Sequence, residues 1–244
     1  MSIPTDTRPD PVSVPMTDLL GVMRLLQFGD SMLPVGSFSF SNGLESAVQC
    51  GLVQDQETLE AFVRTAVRQA GTSDGIALLE AHRGTLAGDL SRVILADHAV
   101  FDRKLGEELR TMNTRMGRKL AEMAGRVNGD PAAASWLASI RAGETPGTYP
   151  VAQGLVFASM GLDERIAFGV HQYGVASMML GAALRLMRLD YLDAQAILYR
   201  INDGADAAYE RAAVAPLEEM ASYAPSIDVL AAVHVGAHVR MFMN

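Results

Sequence analysis

Two histidines four residues apart, His234 and His238, would share one face of a helix and could clip a metal ion between them. Two ligands leave most of a coordination sphere empty, so partner contact or plain exposure competes with that reading. Asn202, Asp203, Asp206 and Glu210 offer the hard oxygens that magnesium takes. Magnesium-assisted diphosphate chemistry needs such ligands converging from two helices, and no aspartate pair supplies the second set. None of the five histidines has an acidic residue three positions before it, which removes the ligand pattern of helical di-iron bundles; the zinc-protease motif is also missing. No glycine precedes a lysine, so the chain has no phosphate-binding P-loop and does not bind GTP in that manner. The serines after Gly36 lack the glycine-x-serine-x-glycine elbow of a nucleophile. Cys50 is the only cysteine; it excludes an intramolecular disulfide and cysteine-rich metal sites and reads as a small apolar helix residue.

The elements that would carry these residues are helices. Thr17 can cap a helix to about Phe28, and Asp55 caps one whose Leu59, Phe62, Val63 and Val67 recur at helical spacing until Gly71. Ser73 opens a helix with Ile76, Leu79 and His82, and Asp89 opens another with Val93, Ile94, Val100 and Phe101. Asp130 before Pro131 is a helix entrance in the expected order, leading to Trp136, Leu137 and Ile140 and closing at Gly143. Pro146, Gly147 and Pro150 mark a loop over 143–150, after which 151–160, 163–188 and 192–201 read as helices. Asp206 is expected to cap the next. The most apolar internal stretch, 173–184, is too short for the roughly 20 residues of a membrane span and reads as a buried helix. Strand alternation is almost absent. The expectation is an all-α, single-domain bundle of about ten helices over residues 17–244.

Residues 1–16 contain Pro4, Pro9, Pro11 and Pro15, have no apolar core and read as a disordered tail rather than a secretory signal, consistent with a cytoplasmic protein. With 49% hydrophobic residues the chain can bury a core. Its 28 acidic and 20 basic residues give a net charge of −8, which disfavours nucleic acid and anionic membranes and favours basic protein partners.

The most specific segment spans 33–45. Pro34 and Gly36 prevent a helix through its first half, whereas Asn42 can cap a helix with Glu45 at its third position, close to a capping box, ending at Gly51. Leu33-Pro34-Val35-Gly36, the pair Phe38-Ser39 and Gly43-Leu44-Glu45 resemble the signature of the urease accessory protein F family (UreF). Glu108-Leu109-Arg110 followed by Gly117-Arg118, with Arg115 on the same segment, resembles that family's central helix. Tyr149-Pro150-Val151 and Gly154 resemble its proline-valine helix entrance, with Thr148 where the family carries histidine. Ala182-Ala183-Leu184-Arg185-Leu186 resembles a further family stretch, although Arg188-Leu189-Asp190-Tyr191 departs from the usual proline-leucine-glycine-glutamine. His234, Arg240 and Phe242 match the family terminus.

The resemblance implies a non-enzymatic protein that bridges the accessory protein UreD, also called UreH, and the GTPase UreG during delivery of nickel to the urease apoprotein. Nickel and GTP are then handled by the partners, and no cofactor is bound directly. It implies partner contacts at Leu33, Pro34, Gly36, Phe38, Ser39, Gly43, Glu45, Arg115, Arg118, Tyr149, Arg185, His234, Arg240 and Phe242. Gly174, Ser177 and Gly181 form a smooth stripe suited to core packing or to a homodimer interface. Residues after Pro225 are expected to order only against a partner. The alternative comes from another class: Asn202 to Glu210 resembles the second magnesium motif of class I terpenoid synthases and implies a magnesium-dependent all-α enzyme.

Overall fold

The computed structural model describes residues 19–30, 32–37, 40–222, 224–233 and 241–242. Every regular element among them is helical: α1 (Leu19–Gly29), α2 (Leu44–Gln49), α3 (Gln56–Thr72), α4 (Asp74–Ala87), α5 (Leu90–Arg103), α6 (Glu107–Val127), α7 (Pro131–Ala142), α8 (Tyr149–Ser159), α9 (Glu164–Leu186), α10 (Tyr191–Asn202), α11 (Ala205–Val214) and α12 (Pro225–Val233). A 3-10 turn, Leu217–Glu219, precedes α12. Fold class is as the periodicity predicts. The tail assigned to residues 1–16, and the Thr17 cap, lie outside the described residues, as do Phe38, Ser39, His234, His238 and Arg240.

Local chemistry sets most boundaries. The Asp55 carboxylate accepts from the Thr58 amide at 2.9 Å while Thr58 Oγ1 accepts from the Asp55 amide at 3.1 Å, a reciprocal cap that fixes the start of α3. Asp130 accepts from the Ala132 and Ala133 amides ahead of α7, and Gly143 ends that helix at φ 76°, with the Glu144 amide returning to the Ser139 carbonyl at 3.0 Å. Two caps differ from expectation. Asn42 does not cap α2; it takes a left-handed φ of 52°, and Gly43 stands at the N-cap at φ 80°. The reason is long-range: a β-carbon on Gly43 would meet the Ile227 carbonyl oxygen at 2.9 Å, so the chain turns left-handed there to let α12 approach. Asp206 does not cap α11 either, because Gly204 holds that position and Asp206 pairs with Arg165.

The helices pack around two apolar clusters that meet at Met178. One gathers Trp136, Phe157, Phe168 and Leu78 from α4 to α9. The other joins Leu44, Leu59, Met179 and Ile197 from α2, α3, α9 and α10. Helix α9 runs through both. Contact is very close where α8 crosses α4: a β-carbon on Gly154 would stand 2.3 Å from the Leu78 carbonyl oxygen, closer than any side chain is tolerated. Gly117 brings α6 equally close to the Gly147 carbonyl oxygen. The 173–184 stretch is only half buried: Ala176, Met179 and Leu180 face the core, while Tyr173, Gly181 and Leu184 are exposed. Cys50, expected to pack as an apolar residue, is exposed at the C-cap of α2.

Candidate functional site

The 33–37 turn is pinned from below. Leu33 and Val35 are buried, their amides return to the Asp30 and Leu33 carbonyls, and Pro34 is left on the surface. Gly36 takes φ 95°, a conformation that a side chain strains, and the nearest group over it is the Lys119 ammonium of α6. The turn and the charged side of α6 are therefore neighbours. Arg115 and Arg118 lie exposed on that helix.

Val35 and Ser37 of the turn, Asn42, Tyr149 and Arg185 converge on one groove with a cavity volume of about 270 Å³. Gly174, Ser177 and Gly181 line the same groove, and a β-carbon on Gly174 or Gly181 would meet nothing within 4 Å. The small-residue stripe thus faces open space, which corrects its core-packing reading.

A buried polar network supports the Tyr149 side of the groove. Asp97, fully buried, accepts from Thr145 Oγ1 at 2.6 Å, from the Gly147 and Thr148 amides at 2.7 Å each, and from Thr148 Oγ1 at 2.5 Å. Burial pushes its carboxyl above the ordinary range against the pull of those four donors. The loop before α8 is thereby fixed, and Asn113 receives the Tyr149 amide at 3.1 Å. Burial raises the Tyr149 phenol to about 12, so it remains a neutral hydroxyl. Thr148, where the resembled family carries histidine, is spent on Asp97.

The groove floor is ionic. Lys104, the C-cap of α5, places Nζ 2.7 and 2.8 Å from the two carboxylate oxygens of Asp74. Burial alone would raise Asp74, but the Lys104 ammonium outweighs it and holds the carboxyl below its usual value. His171 Nδ1 lies 3.0 Å from Gln153 Oε1. Burial lowers this imidazole to about 4, with Asp74 opposing and Lys104 reinforcing the shift, so it is neutral near pH 7. Asp228 of α12 faces the same groove, and burial raises its carboxyl. Sequence spacing could not find this floor, since Asp74, Lys104, His171 and Asp228 come from four separate elements.

The C-terminal end seats on α2. Glu45 accepts from the Met241 amide at 2.8 Å and from the Phe242 amide at 3.1 Å, and Phe242 is 5% exposed in the second apolar cluster. Its ring lies under the guanidinium of Arg185. Helix α12 packs on α2 and α6. The expectation that residues after Pro225 order only against a partner is corrected for the described residues: Pro225–Val233 forms α12 and Phe242 is buried, because Gly43 and Glu45 provide a seat. Met241 remains exposed.

Two of the four magnesium-type residues are committed elsewhere. Arg165 pairs with Asp206 at 3.1 Å and with Glu210 at 2.9 Å, on the protein surface. Among the described residues no three His, Cys, Asp or Glu side chains are grouped to hold a metal ion, and no helix is long and apolar enough to cross a membrane.

A family model described as UreF matches residues 53–202. The chain is 57% identical over 226 residues to urease accessory protein UreF 2 of Brucella canis, covering 93% of each. It is 56% identical over 226 residues to urease accessory protein UreF 1 of Brucella melitensis, covering 93% of this chain and 94% of that one. To urease accessory protein UreF of Yersinia enterocolitica it is 50% identical over 223 residues, 91% and 98% of the respective chains. A match of this length, on an all-helical scaffold, assigns the chain to the UreF family of urease accessory proteins.

Proposed function

We propose that this protein is a cytoplasmic, non-catalytic adaptor that bridges UreD (UreH) and the GTPase UreG while nickel, the cargo, is delivered to the urease apoprotein. It works as a homodimer. The observation that carries the reading is the convergence of family-signature residues from distant segments, Val35, Tyr149 and Arg185, on one groove. An adaptor needs shape and charge, and the net charge of −8 suits basic partner surfaces.

In this reading Leu33, Pro34, Gly36, Phe38 and Ser39 form one contact element, with Arg115 and Arg118 beside it on α6. Gly43, Glu45, Arg185 and Phe242 build the second around the C-terminal seat; His234 and Arg240, which belong to the same partner surface in this reading, lie outside the described residues. Tyr149 lines the groove. The test is Gly36→Val in the full chain. The substitution strains a left-handed turn whose surroundings are open, so the fold survives and UreD capture is lost. Normal UreD capture with normal urease activation by this variant would remove the turn from the adaptor surface.

A further inference from the structure

Helix α6 presents two unlike faces. On one side Met112 and Met116 line the groove. On the other Arg115, Arg118, Lys119, Glu122 and Arg126 are exposed, and their spacing sets them along a single side of the helix. Among the described residues none of these four cations has an ion-pair or hydrogen-bond partner, and Glu122, one turn from both Arg118 and Lys119, pairs with neither. Elsewhere the chain does pair its cations: Arg64, Arg83, Arg92, Lys104, Arg165 and Arg200 each meet a carboxylate. The α6 stripe is therefore a local exception in a chain of net charge −8. Like charges one turn apart on a helix repel, so Arg115 beside Arg118 and Lys119 opposes folding unless an outside anion answers them.

Shape adds to charge at the end nearest the turn. Lys119 Nζ lies 4.0 Å from where a β-carbon on Gly36 would go, and Gly36 has none, so the ammonium remains open beside the turn. Val35 and Ser37, on either side of Gly36, line the groove. A ligand lying along the stripe thus reaches the groove rim across Gly36.

Length selects the kind of anion. From Arg115 to Arg126 the stripe runs about 16 Å at the helical rise. A nucleic acid or an anionic membrane extends well beyond that and meets the surrounding acidic surface, whereas charges farther than about 8 Å are largely screened from a short segment at physiological salt. Exposed positions 115, 118, 119, 122 and 126 offer no apolar side chain for a bilayer to take up. Same-face side chains of an extended segment recur about every 7 Å, so three carboxylates cover the stripe. Arginine forks suit them, since each guanidinium can give a carboxylate two parallel N–H donors.

We propose that the α6 stripe docks a short acidic segment of a partner protein, its carboxylates meeting Arg115, Arg118, Lys119 and Arg126. The adaptor then bears surfaces of both signs, this stripe for an acidic segment and the remaining surface for basic partners. The inference rests on the adaptor reading for the contact role of Arg115 and Arg118, and it names the chemistry they recognise.

The experiment titrates the full chain by calorimetry with acetylated, amidated hexaglutamate and with its hexaglutamine counterpart. Saturable hexaglutamate binding at least tenfold tighter than hexaglutamine, weakening as salt rises, is expected. Arg118→Glu should weaken it at least tenfold. Arg211→Glu on α11 makes the same change in net charge at another exposed position and should leave binding within about twofold, with circular dichroism confirming both folds. Equal weakening by the two variants, hexaglutamine binding as tightly as hexaglutamate, or tighter binding of an oligothymidylate or of phosphatidylserine vesicles than of hexaglutamate overturns the proposal. A chain that captures UreD but ignores hexaglutamate overturns this inference alone; one that binds hexaglutamate in the expected pattern but fails to capture UreD overturns the adaptor reading alone.

Discussion

The guanidinium of Arg185 lies 4.1 Å from the centroid of the Phe242 ring, joining the last turn of α9 to the C-terminal end of the chain. Such a stacked cation contributes about 0.5–2 kcal/mol according to its desolvation. A double-mutant cycle with Arg185→Ala and Phe242→Leu should return a coupling in that range from thermal unfolding. Removing residues 239–244 should lower the thermal midpoint, since a buried ring and two main-chain hydrogen bonds to the Glu45 carboxylate go with them. An unchanged midpoint together with zero coupling would show that the end does not occupy its seat.

The buried imidazole of His171 makes stability depend on pH. Its folded value of about 4 lies below the 6.5 of the unfolded chain, so between these values the unfolded state binds the extra proton. The penalty is absent above pH 6.5, grows on acidification and is complete below about pH 4. Between pH 7 and pH 5 it amounts to about 2 kcal/mol. Asp228 works in the opposite direction because its carboxyl is raised, so the comparison must be with His171→Gln and not with the wild type alone. Urea titrations at the two pH values should show the wild type losing about 2 kcal/mol more than that variant; parallel losses would mean that His171 titrates normally.

Two helical glycines should respond to alanine with opposite signs. Gly154 has the Leu78 carbonyl oxygen 2.3 Å from where a β-carbon would go, so Gly154→Ala must push α8 from α4 at a cost of about 1–3 kcal/mol or more. Gly125 on α6 has nothing within 4 Å, and Gly125→Ala should stabilise by about 0.5–1 kcal/mol through backbone entropy. Denaturant midpoints of the two variants on either side of the wild type are the expected result.

The Gly174, Ser177 and Gly181 stripe is tested by size. A β-carbon at exposed Gly181 meets nothing within 4 Å, so Gly181→Leu should retain the fold while the leucine obstructs a second copy. If the proposed homodimer uses this stripe, sedimentation of the variant should report a monomer. A dimer that persists with unaltered mass would place the self-association surface away from α9.

The helices were legible because their determinants are local. Asp55 with Thr58, and Asp130 with Pro131, carry their cap chemistry within three residues, and the apolar spacing of Leu59 and Val63 follows directly from the helical period. The failures have one cause. Asn42 and Glu45 spell a cap in sequence, yet α12 and the Phe242 amide, close to 200 residues away, claim Gly43 and Glu45 for packing. Likewise the signature residues named the groove rim, while its floor at Asp74, Lys104, His171 and Asp228 carried no local signal. Fourfold acceptance by Asp97 was equally invisible, since its donors lie 48–51 residues ahead and only the folded chain brings them together.

Glu45 holds the end of the chain through main-chain amides, and an amide is chemically the same in every residue except proline. The seat therefore reads peptide geometry at position 241 and a ring at position 242. Among natural variants, residue 241 can drift through nearly any side chain without loosening the attachment, whereas a single proline at either position would unfasten it. Two adjacent positions thus evolve under different rules, one tolerant and one strict, although both touch the same carboxylate.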